Sequence, residues 1–259
     1  MFRRTILVVA AWGFGGTAWA QDVEPENKPA PAARSAEAGE FLPFTLSSRV
    51  DSQRAFVTTL GGYDSGRSTG LLQGQTEVNV WGPIAIRAGA VYTEQTGTLK
   101  PTFGAHVQVL KQAKHGLDGS VAVFYKPEGL TEGEGEIETF VTVGRQFGRV
   151  GVFGNLTYGQ DPEGAERDGE VHVSGLYRLK ENVHAGMETR LRFDLFSDNQ
   201  LARRAKLEAN WDFIAAPTVS WSIGQFALIA EGGVSLVNLT AGGSTSKGGI
   251  GLAGVGAVF

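Results

Sequence analysis

Two consecutive segments of this chain carry charged residues at even-numbered positions. The first segment carries Glu188, Arg190, Arg192 and Asp194, and the second carries Lys206, Glu208 and Asp212. Alternate side chains of a β-strand share one face, and opposite charges on neighbouring strands can pair. Such a face predicts one of two arrangements. Either it lines a water-filled passage and sets its ion preference, or its ion pairs close a narrow interior.

Other ionisable residues fall on the same predicted face of further strands, namely Arg87, His106, Glu138, His172 and Arg178. We predict that these residues, with the seven above, line the interior of a barrel. His106, His172 and His184 lie on different predicted strands, and no spacing among them matches a metal-binding motif. We interpret them as hydrogen-bonded interior histidines, and we expect neither a metal ion nor another cofactor.

His172 and Ser174 are separated by one residue, so on a strand they share a face. An imidazole in that position can deprotonate the hydroxyl, and Glu188 on the following strand can orient the imidazole. The arrangement resembles the His-x-Ser pair of outer-membrane lipid hydrolases, the phospholipase A and lipid A deacylase families. This resemblance implies a serine on the lipid-facing surface. The competing interpretation is that both residues point inward, because their neighbours Val171 and Val173 are predicted to face lipid.

The elements that would position these residues are strands. From Gln53 onward, segments of about ten residues alternate apolar and polar side chains, with Gly, Pro, Asp and Asn clusters between them. We predict about twelve strands, at 53–63, 70–81, 84–94, 101–111, 117–126, 136–146, 149–159, 169–179, 183–195, 204–223, 226–239 and 248–259. Short connections alternate with longer polar ones, as in outer-membrane barrels.

Pro217 affects the strand count. Dividing the segment 204–223 at Pro217 gives an odd number of strands, which would leave the two chain ends on opposite sides of a membrane. We therefore predict one long strand, with Pro217 at a bulge or a rim where no hydrogen bond is needed. Counts of fourteen or ten strands are the alternatives. Fourteen would require a break at Pro217 and an extra strand around 44–50.

The start of the chain is typical of a secretory signal. Arg3 and Arg4 precede a short apolar stretch, and Ala18-Trp19-Ala20 forms an A-x-A cleavage site. The apolar stretch is shorter than the roughly 20 residues that a spanning helix needs. We predict a signal peptide over residues 1–20, cleaved after Ala20, and a disordered periplasmic linker over residues 21–52, rich in Pro, Ala and Glu.

The other end of the chain is a glycine-rich segment that finishes on Phe259. Gly254, Ala257 and Phe259 fit the spacing of the terminal signal that the barrel-assembly machinery recognises. On these residues, positions 53–259 resemble the outer-membrane β-barrel proteins of Gram-negative bacteria. The resemblance implies an all-β fold, a transmembrane antiparallel up-and-down β-barrel. It also implies location in the outer membrane, with membrane lipids, lipopolysaccharide and the assembly machinery as partners.

Composition limits the function further. The chain has no cysteine, which excludes disulfides and thiolate chemistry, and its net charge of -4 argues against a nucleic-acid partner. Three functions are compatible with the residues. The first is a passive channel that admits small polar solutes through a charged lumen. The second is a non-conducting structural or interaction barrel, and the third is a lipid hydrolase that uses His172, Ser174 and Glu188.

Overall fold

The computed structural model describes residues 42–50, 55–94, 97–126, 135–162, 166–197, 209–239 and 244–259. Within these ranges the chain forms twelve antiparallel strands that close into a barrel. The strands are β1 Ala55–Asp64, β2 Thr69–Trp81, β3 Ile84–Thr93, β4 Thr98–Leu110, β5 Asp118–Lys126, β6 Glu136–Phe147, β7 Val150–Gln160, β8 Glu166–Lys180, β9 Val183–Ser197, β10 Ala209–Ile223, β11 Phe226–Leu239 and β12 Thr245–Val258. A four-residue helix, α1 (Gln112–His115), lies between β4 and β5.

No helix in the described ranges is long and apolar enough to span a membrane.

The predicted all-β, up-and-down barrel is confirmed. Each strand pairs with its neighbours in the chain, and β1 closes the ring against β12. Phe259 takes part in this closure, because its N–H donates to the Ala55 carbonyl oxygen at 2.7 Å. The two ends of the barrel sequence therefore meet at one rim, as the predicted even count requires.

Alternating side chains explain why the sheet closes as it does. On β7, Val152 and Leu156 are exposed on the outer surface, whereas Asn155 and Thr157 are buried inside. The same alternation gives most strands an apolar outer face and a more polar inner face. A closed sheet pairs its backbone groups internally, which is the requirement for a strand protein in lipid.

The connections divide into two sets at opposite rims of the barrel. Two-residue turns join β2 to β3, β6 to β7, β8 to β9 and β10 to β11 at the rim that also holds Ala55 and Phe259. We call this rim the short-turn end, and the opposite rim, where longer segments connect the strands, the long-loop end. Gly82, Gly148 and Gly224 occupy three of the two-residue turns with positive φ angles of 50°, 58° and 58°, a conformation that glycine adopts without strain.

The predicted position of Pro217 at a bulge or rim is wrong. Pro217 lies in the middle of β10, opposite Met187 of β9, and the register to β11 is the same on both of its sides. The ladder to β11 runs from Ala215 directly to Thr218, so no hydrogen bond from position 217 is required there. The prediction of one continuous strand is correct, because the ladder to β9 is unbroken at the proline and the ladder to β11 resumes at Thr218.

Residues 42–50 lie inside the barrel, and we call them the inner segment. They form no strand, so the alternative of an extra strand at 44–50 is wrong. The predicted disordered linker over residues 21–52 also differs from the structure for these residues, since Leu42, Leu46 and Val50 are buried. The signal peptide and the rest of the predicted linker lie outside the described residues.

Candidate functional site in the barrel interior

The inner segment is anchored at the short-turn end by its last two residues. The Arg49 guanidinium donates through Nε to Asp118 Oδ2 at 2.7 Å. The backbone N–H of Val50 donates to Gln108 Oε1 at 3.2 Å, and the same Gln108 side chain donates to Asp118 Oδ1 at 3.1 Å. Asp118 is the first residue of β5, so these contacts bind the inner segment to the barrel wall at the short-turn end.

The middle of the inner segment packs against β5, β6 and β7. Leu46 lies in a buried apolar cluster with Ala122 and Phe124, and Phe140 packs on its edge. The Asn155 side-chain amide hydrogen-bonds to the Leu46 backbone. Apolar burial and backbone hydrogen bonding therefore hold the same residue, and both favour the segment remaining inside.

Phe44 and Thr45 bring the inner segment to the opposite wall. The Phe44 N–H donates to Glu188 Oε1 at 3.2 Å, and the Thr45 hydroxyl donates to the same oxygen. The Phe44 ring packs against a cluster on strands β1, β10 and β12, formed by Leu60, Ile214, Ala216, Ile250 and Leu252. The inner segment thus spans the interior from the β5 wall to the β9 wall.

A buried polar network crosses β2 to β6 on the inner face. Arg87 donates through Nε to Glu77 Oε2 at 2.8 Å, and His106 Nδ1 lies 3.2 Å from the same oxygen. His106 Nε2 is 2.7 Å from Ser120 Oγ, which also contacts the Thr142 hydroxyl. Each charge in this network has a partner, which is what burial of ionic groups requires.

A second network of charges occupies β8, β9 and β10. Arg190 lies 3.0 Å from Glu170 Oε1 and 3.7 Å from Asp212 Oδ1. His172 Nε2 lies 2.9 Å from Glu170 Oε2. Arg192 donates through Nε to Asp168 Oδ2 at 2.7 Å, nearer the long-loop end. The cations and carboxylates of this wall are interleaved, so it has no strong net charge of either sign.

Arg67, in the connection between β1 and β2, joins this second network from the rim. Its guanidinium pairs with Asp212 and lies 3.7 Å from Asp64 Oδ2. Burial lowers the pKa of the Arg67 guanidinium, against the opposing effect of Asp212, and Arg190 lowers it further. The connection is therefore bound electrostatically to the wall below it.

A cavity of about 280 Å³ lies between the inner segment and the barrel wall. Its lining combines the rings of Phe44, Phe124 and Phe140 with charged side chains from both networks and from the Lys126–Glu138 ion pair. Since one water molecule occupies about 30 Å³ in the liquid, the cavity has room for several waters or one small solute.

The structure assigns positions to most of the predicted lining residues. Buried in the interior are Arg87, His106, Glu138, His172, Glu188 and Asp212. Half-buried on the inner face are Arg190, Arg192 and Asp194, whereas Arg178 is exposed at the short-turn end near Gly148. Lys206 and Glu208 lie outside the described residues. That these side chains line a conducting pore stays a prediction.

Sequence reasoning missed several residues of the interior, namely Arg49, Glu77, Lys126, Glu170 and Glu231. Glu170 shares the face of His172, and Glu77 falls on the inner face of a predicted strand, so strand alternation could have identified both. No pattern in the sequence placed Arg49 inside the barrel, because that position was assigned to the linker.

The residues of the hydrolase alternative do not form its catalytic arrangement. Ser174 and His172 both point into the barrel and are buried, while Val171 and Val173 are exposed on the outer face. The His172 imidazole contacts Glu170, and Glu188 holds Phe44 and Thr45. A serine in this position is turned away from membrane lipid, so the geometry gives the hydrolase alternative no support.

The residues of the predicted assembly signal lie on β12 and at its end. Phe259 is 65% exposed on the outer surface, and Ala257 shares its side of the strand. Gly254 pairs with Leu60 of β1 at the seam that closes the barrel. Recognition of these three residues by the assembly machinery stays a prediction.

Comparison with known proteins gives a likeness of fold. No family model and no curated protein sequence matches the chain. Among solved structures, the NanC porin is 11% identical with a TM-score of 0.58, covering 78% of this chain and 98% of that one. The KdgM porin is 6% identical with a TM-score of 0.53, covering 79% of this chain and 99% of that one. The chain therefore has the β-barrel fold of bacterial outer-membrane porins, which confirms the predicted resemblance at the level of the fold.

Proposed function

We propose that the protein is an outer-membrane channel through which small polar solutes diffuse, and that the inner segment forms its constriction. The observation that carries this proposal is the contrast between the two faces of one closed sheet. The outer face presents exposed valines, leucines and aromatics, whereas the inner face carries the two ionic networks around a cavity. A lumen lined by charged and polar groups is the arrangement through which barrels pass hydrated solutes.

The interleaved charges suit uncharged or dipolar polar solutes. Every strong cation of the second network lies within 4 Å of a carboxylate, as in the Arg190–Glu170 and Arg192–Asp168 pairs. Paired charges supply donors and acceptors to a passing solute without holding a single ion tightly. Passage then requires no cofactor and no chemical step.

The inner segment has to shift for a solute to pass the level of Leu46. Its contacts with Asp118, Asn155 and Glu188 cross the interior between facing walls. The segment connects to β1 at the short-turn end, so it can withdraw toward that rim without disturbing the strand ladder.

A non-conducting structural barrel is the second candidate, and the docking of the inner segment is the observation that favours it. The segment occupies part of the barrel interior, and both apolar packing and hydrogen bonds hold it there. If it never withdraws, the barrel is closed to solutes and serves as a scaffold for its loops.

Planar-bilayer conductance separates the two candidates. We would compare the full chain with a variant in which the inner segment is replaced by a Gly/Ser stretch of equal length. A channel predicts discrete current steps that become larger or longer-lived in the replaced variant. Silence of both proteins at every voltage would overturn the channel and favour the scaffold.

A matched control is available on the outer face. Leu156→Ala changes a side chain that is exposed on the outer surface and points away from the lumen, on the opposite face of β7 from Asn155. Its conductance should equal that of the unchanged protein, which excludes a general loosening of the barrel as the cause of any increase.

The cellular location and processing are proposed from the same fold. We propose Sec-dependent export, cleavage after Ala20, and insertion in the outer membrane by the barrel-assembly machinery among lipids and lipopolysaccharide. Intact mass of the protein extracted from outer membranes tests the cleavage site, since the mature chain would begin at Gln21. A mass that includes the first twenty residues would contradict it.

A further inference from the structure

Two buried carboxyl groups lie beneath the point where the inner segment meets the barrel wall. Glu188 on β9 is 0% exposed, and Glu231 on β11 is 5% exposed. The two strands flank β10, on which Ala216 pairs with Glu188 and Thr218 pairs with Glu231. Both side chains are buried on the inner face, on either side of β10, and each carboxyl group interacts with the other.

The two oxygens of Glu188 have different surroundings. Oε1 accepts hydrogen bonds from the Phe44 N–H and the Thr45 hydroxyl of the inner segment. Oε2 has no hydrogen-bond donor among the described residues, and neither oxygen of Glu231 has one. Oε2 is thus the free acceptor on Glu188, and Glu231 is the group in contact with it.

Among the described residues, no cation is hydrogen-bonded to Glu188 Oε2 or to either oxygen of Glu231. Ser174 pairs with Glu188 from β8, and Leu252 pairs with Glu231 from β12. His172 is the titratable neighbour of Glu188 on β8, and its imidazole is bound to Glu170. Two neighbouring buried carboxylates repel each other, so one proton shared between them favours a docked inner segment.

We propose that Glu188 and Glu231 form a proton-binding site that latches the inner segment inside the barrel. With one proton present, Glu231 donates to Glu188 Oε2, while Glu188 Oε1 holds Phe44 and Thr45. Loss of that proton leaves two adjacent negative charges in a water-excluded site. Withdrawal of the segment admits water and salt to both carboxylates, so deprotonation favours withdrawal.

This inference rests on the proposed function, because the latch controls the segment that would constrict the channel. The direction of the pH dependence follows from the number of protons that the carboxyl pair binds in the docked and in the open state. The docked state holds the shared proton, whereas the open state exposes both groups to solvent. Docking is therefore strongest at low pH and weakens as the pH rises.

The test labels the inner segment directly. The chain has no cysteine, so Ser48→Cys provides a single thiol at a position that is 2% exposed when the segment is docked. Labelling by a polar maleimide would be measured on protein in lipid vesicles between about pH 6 and about pH 10. Glu231→Gln in the same background is the matched control, because its amide donates to Glu188 without titrating.

We expect the labelling rate of the Ser48→Cys protein, divided by that of the Glu231→Gln control, to rise at least about tenfold across this range. Taking the ratio removes the effect of thiolate formation, which both proteins share. A ratio that stays constant would overturn the latch. If Glu231→Gln fails to form a folded barrel, Glu188→Gln replaces it, since that amide oxygen still accepts from Phe44 and Thr45.

Conductance recorded in parallel keeps the two proposals distinguishable. A protein that conducts but shows a constant labelling ratio keeps the channel and loses the latch. A protein that stays silent after removal of the inner segment, yet shows the rising ratio, keeps the latch and loses the channel.

Discussion

Leu46→Ala should release the inner segment from the barrel wall without unfolding the barrel. The Leu46 side chain is 8% exposed and fills a pocket formed by Ala122, Phe124 and Phe140. Truncating a buried leucine costs about 2–4 kcal/mol, from lost transfer free energy and the cavity left behind. Here that cost falls on docking, because the side chain belongs to the segment and the pocket belongs to the wall.

The change in the docking equilibrium can be measured as a change in the maleimide labelling rate. At about 1.4 kcal/mol for each factor of ten, the population of the withdrawn state should increase by about 30-fold to about 700-fold. The maleimide labelling rate of the Ser48→Cys protein should increase by the same factor while withdrawal remains faster than labelling. The urea midpoint of the barrel, followed by tryptophan fluorescence, should change little.

Leu156→Ala is the matched control for this prediction, because it removes the same number of atoms from an outer-face position that is 56% exposed. Its labelling rate should not change. The reasoning would be refuted if Leu46→Ala changed labelling by less than about threefold, which corresponds to about 0.7 kcal/mol. An equal increase in Leu156→Ala would also refute it, since the effect would then not arise at the segment.

Three other variants address the wall and the closing strand. Arg87→Met should lower the free energy of unfolding in urea by about 3–5 kcal/mol, because Glu77 is left buried without its cation. Adding Glu77→Gln should recover most of that loss. A double variant no more stable than the single one would contradict the ion-pair argument. Replacing Arg190 and Arg192 together by Ala should shift the reversal potential in a salt gradient toward cation preference, as removal of lumen cations requires, whereas an unchanged potential would count against a conducting lumen. Phe259→Ala should slow the accumulation of folded barrel in cells. It should leave the urea midpoint nearly unchanged, because the contact with Ala55 uses backbone atoms. Accumulation equal to that of the unchanged protein would contradict the role of Phe259 in assembly.

The strands could be predicted because each repeats a simple pattern. In β10, Trp211, Phe213, Val219 and Trp221 keep one parity on both sides of Pro217, and this continuity identified a single strand despite the proline. The position of Pro217 in the middle of the strand could not be predicted. The ladder to β11 omits two residue pairs there without a change of register, and no sequence pattern indicates such an omission.

The inner segment could not be recognised from alternation. Its signal was compositional, since the apolar residues of Leu42 to Leu46 follow a stretch rich in Pro, Ala and Glu. What they contact depends on the closed barrel. Thr45 and Glu188 are 143 positions apart in the chain, and strand parity shows which face a residue occupies but not what lies across the interior.

The same limit applies to the carboxyl pair. Glu188 could be predicted to point inward from the charges around it. Glu231 lies in a strand whose other inner residues include Ala227, Ile229 and Val237, so no charge pattern marked it. Their contact depends on the register of three consecutive strands, which sequence alone does not determine.

The measurement that tests the central claim most directly is single-channel conductance of the full chain beside the variant whose inner segment is replaced by Gly/Ser. A constricted channel predicts current steps in both proteins, with larger or longer openings once the segment is gone. Silence of the replaced variant, in protein shown to be a folded barrel by its resistance to unfolding in detergent, would contradict the channel.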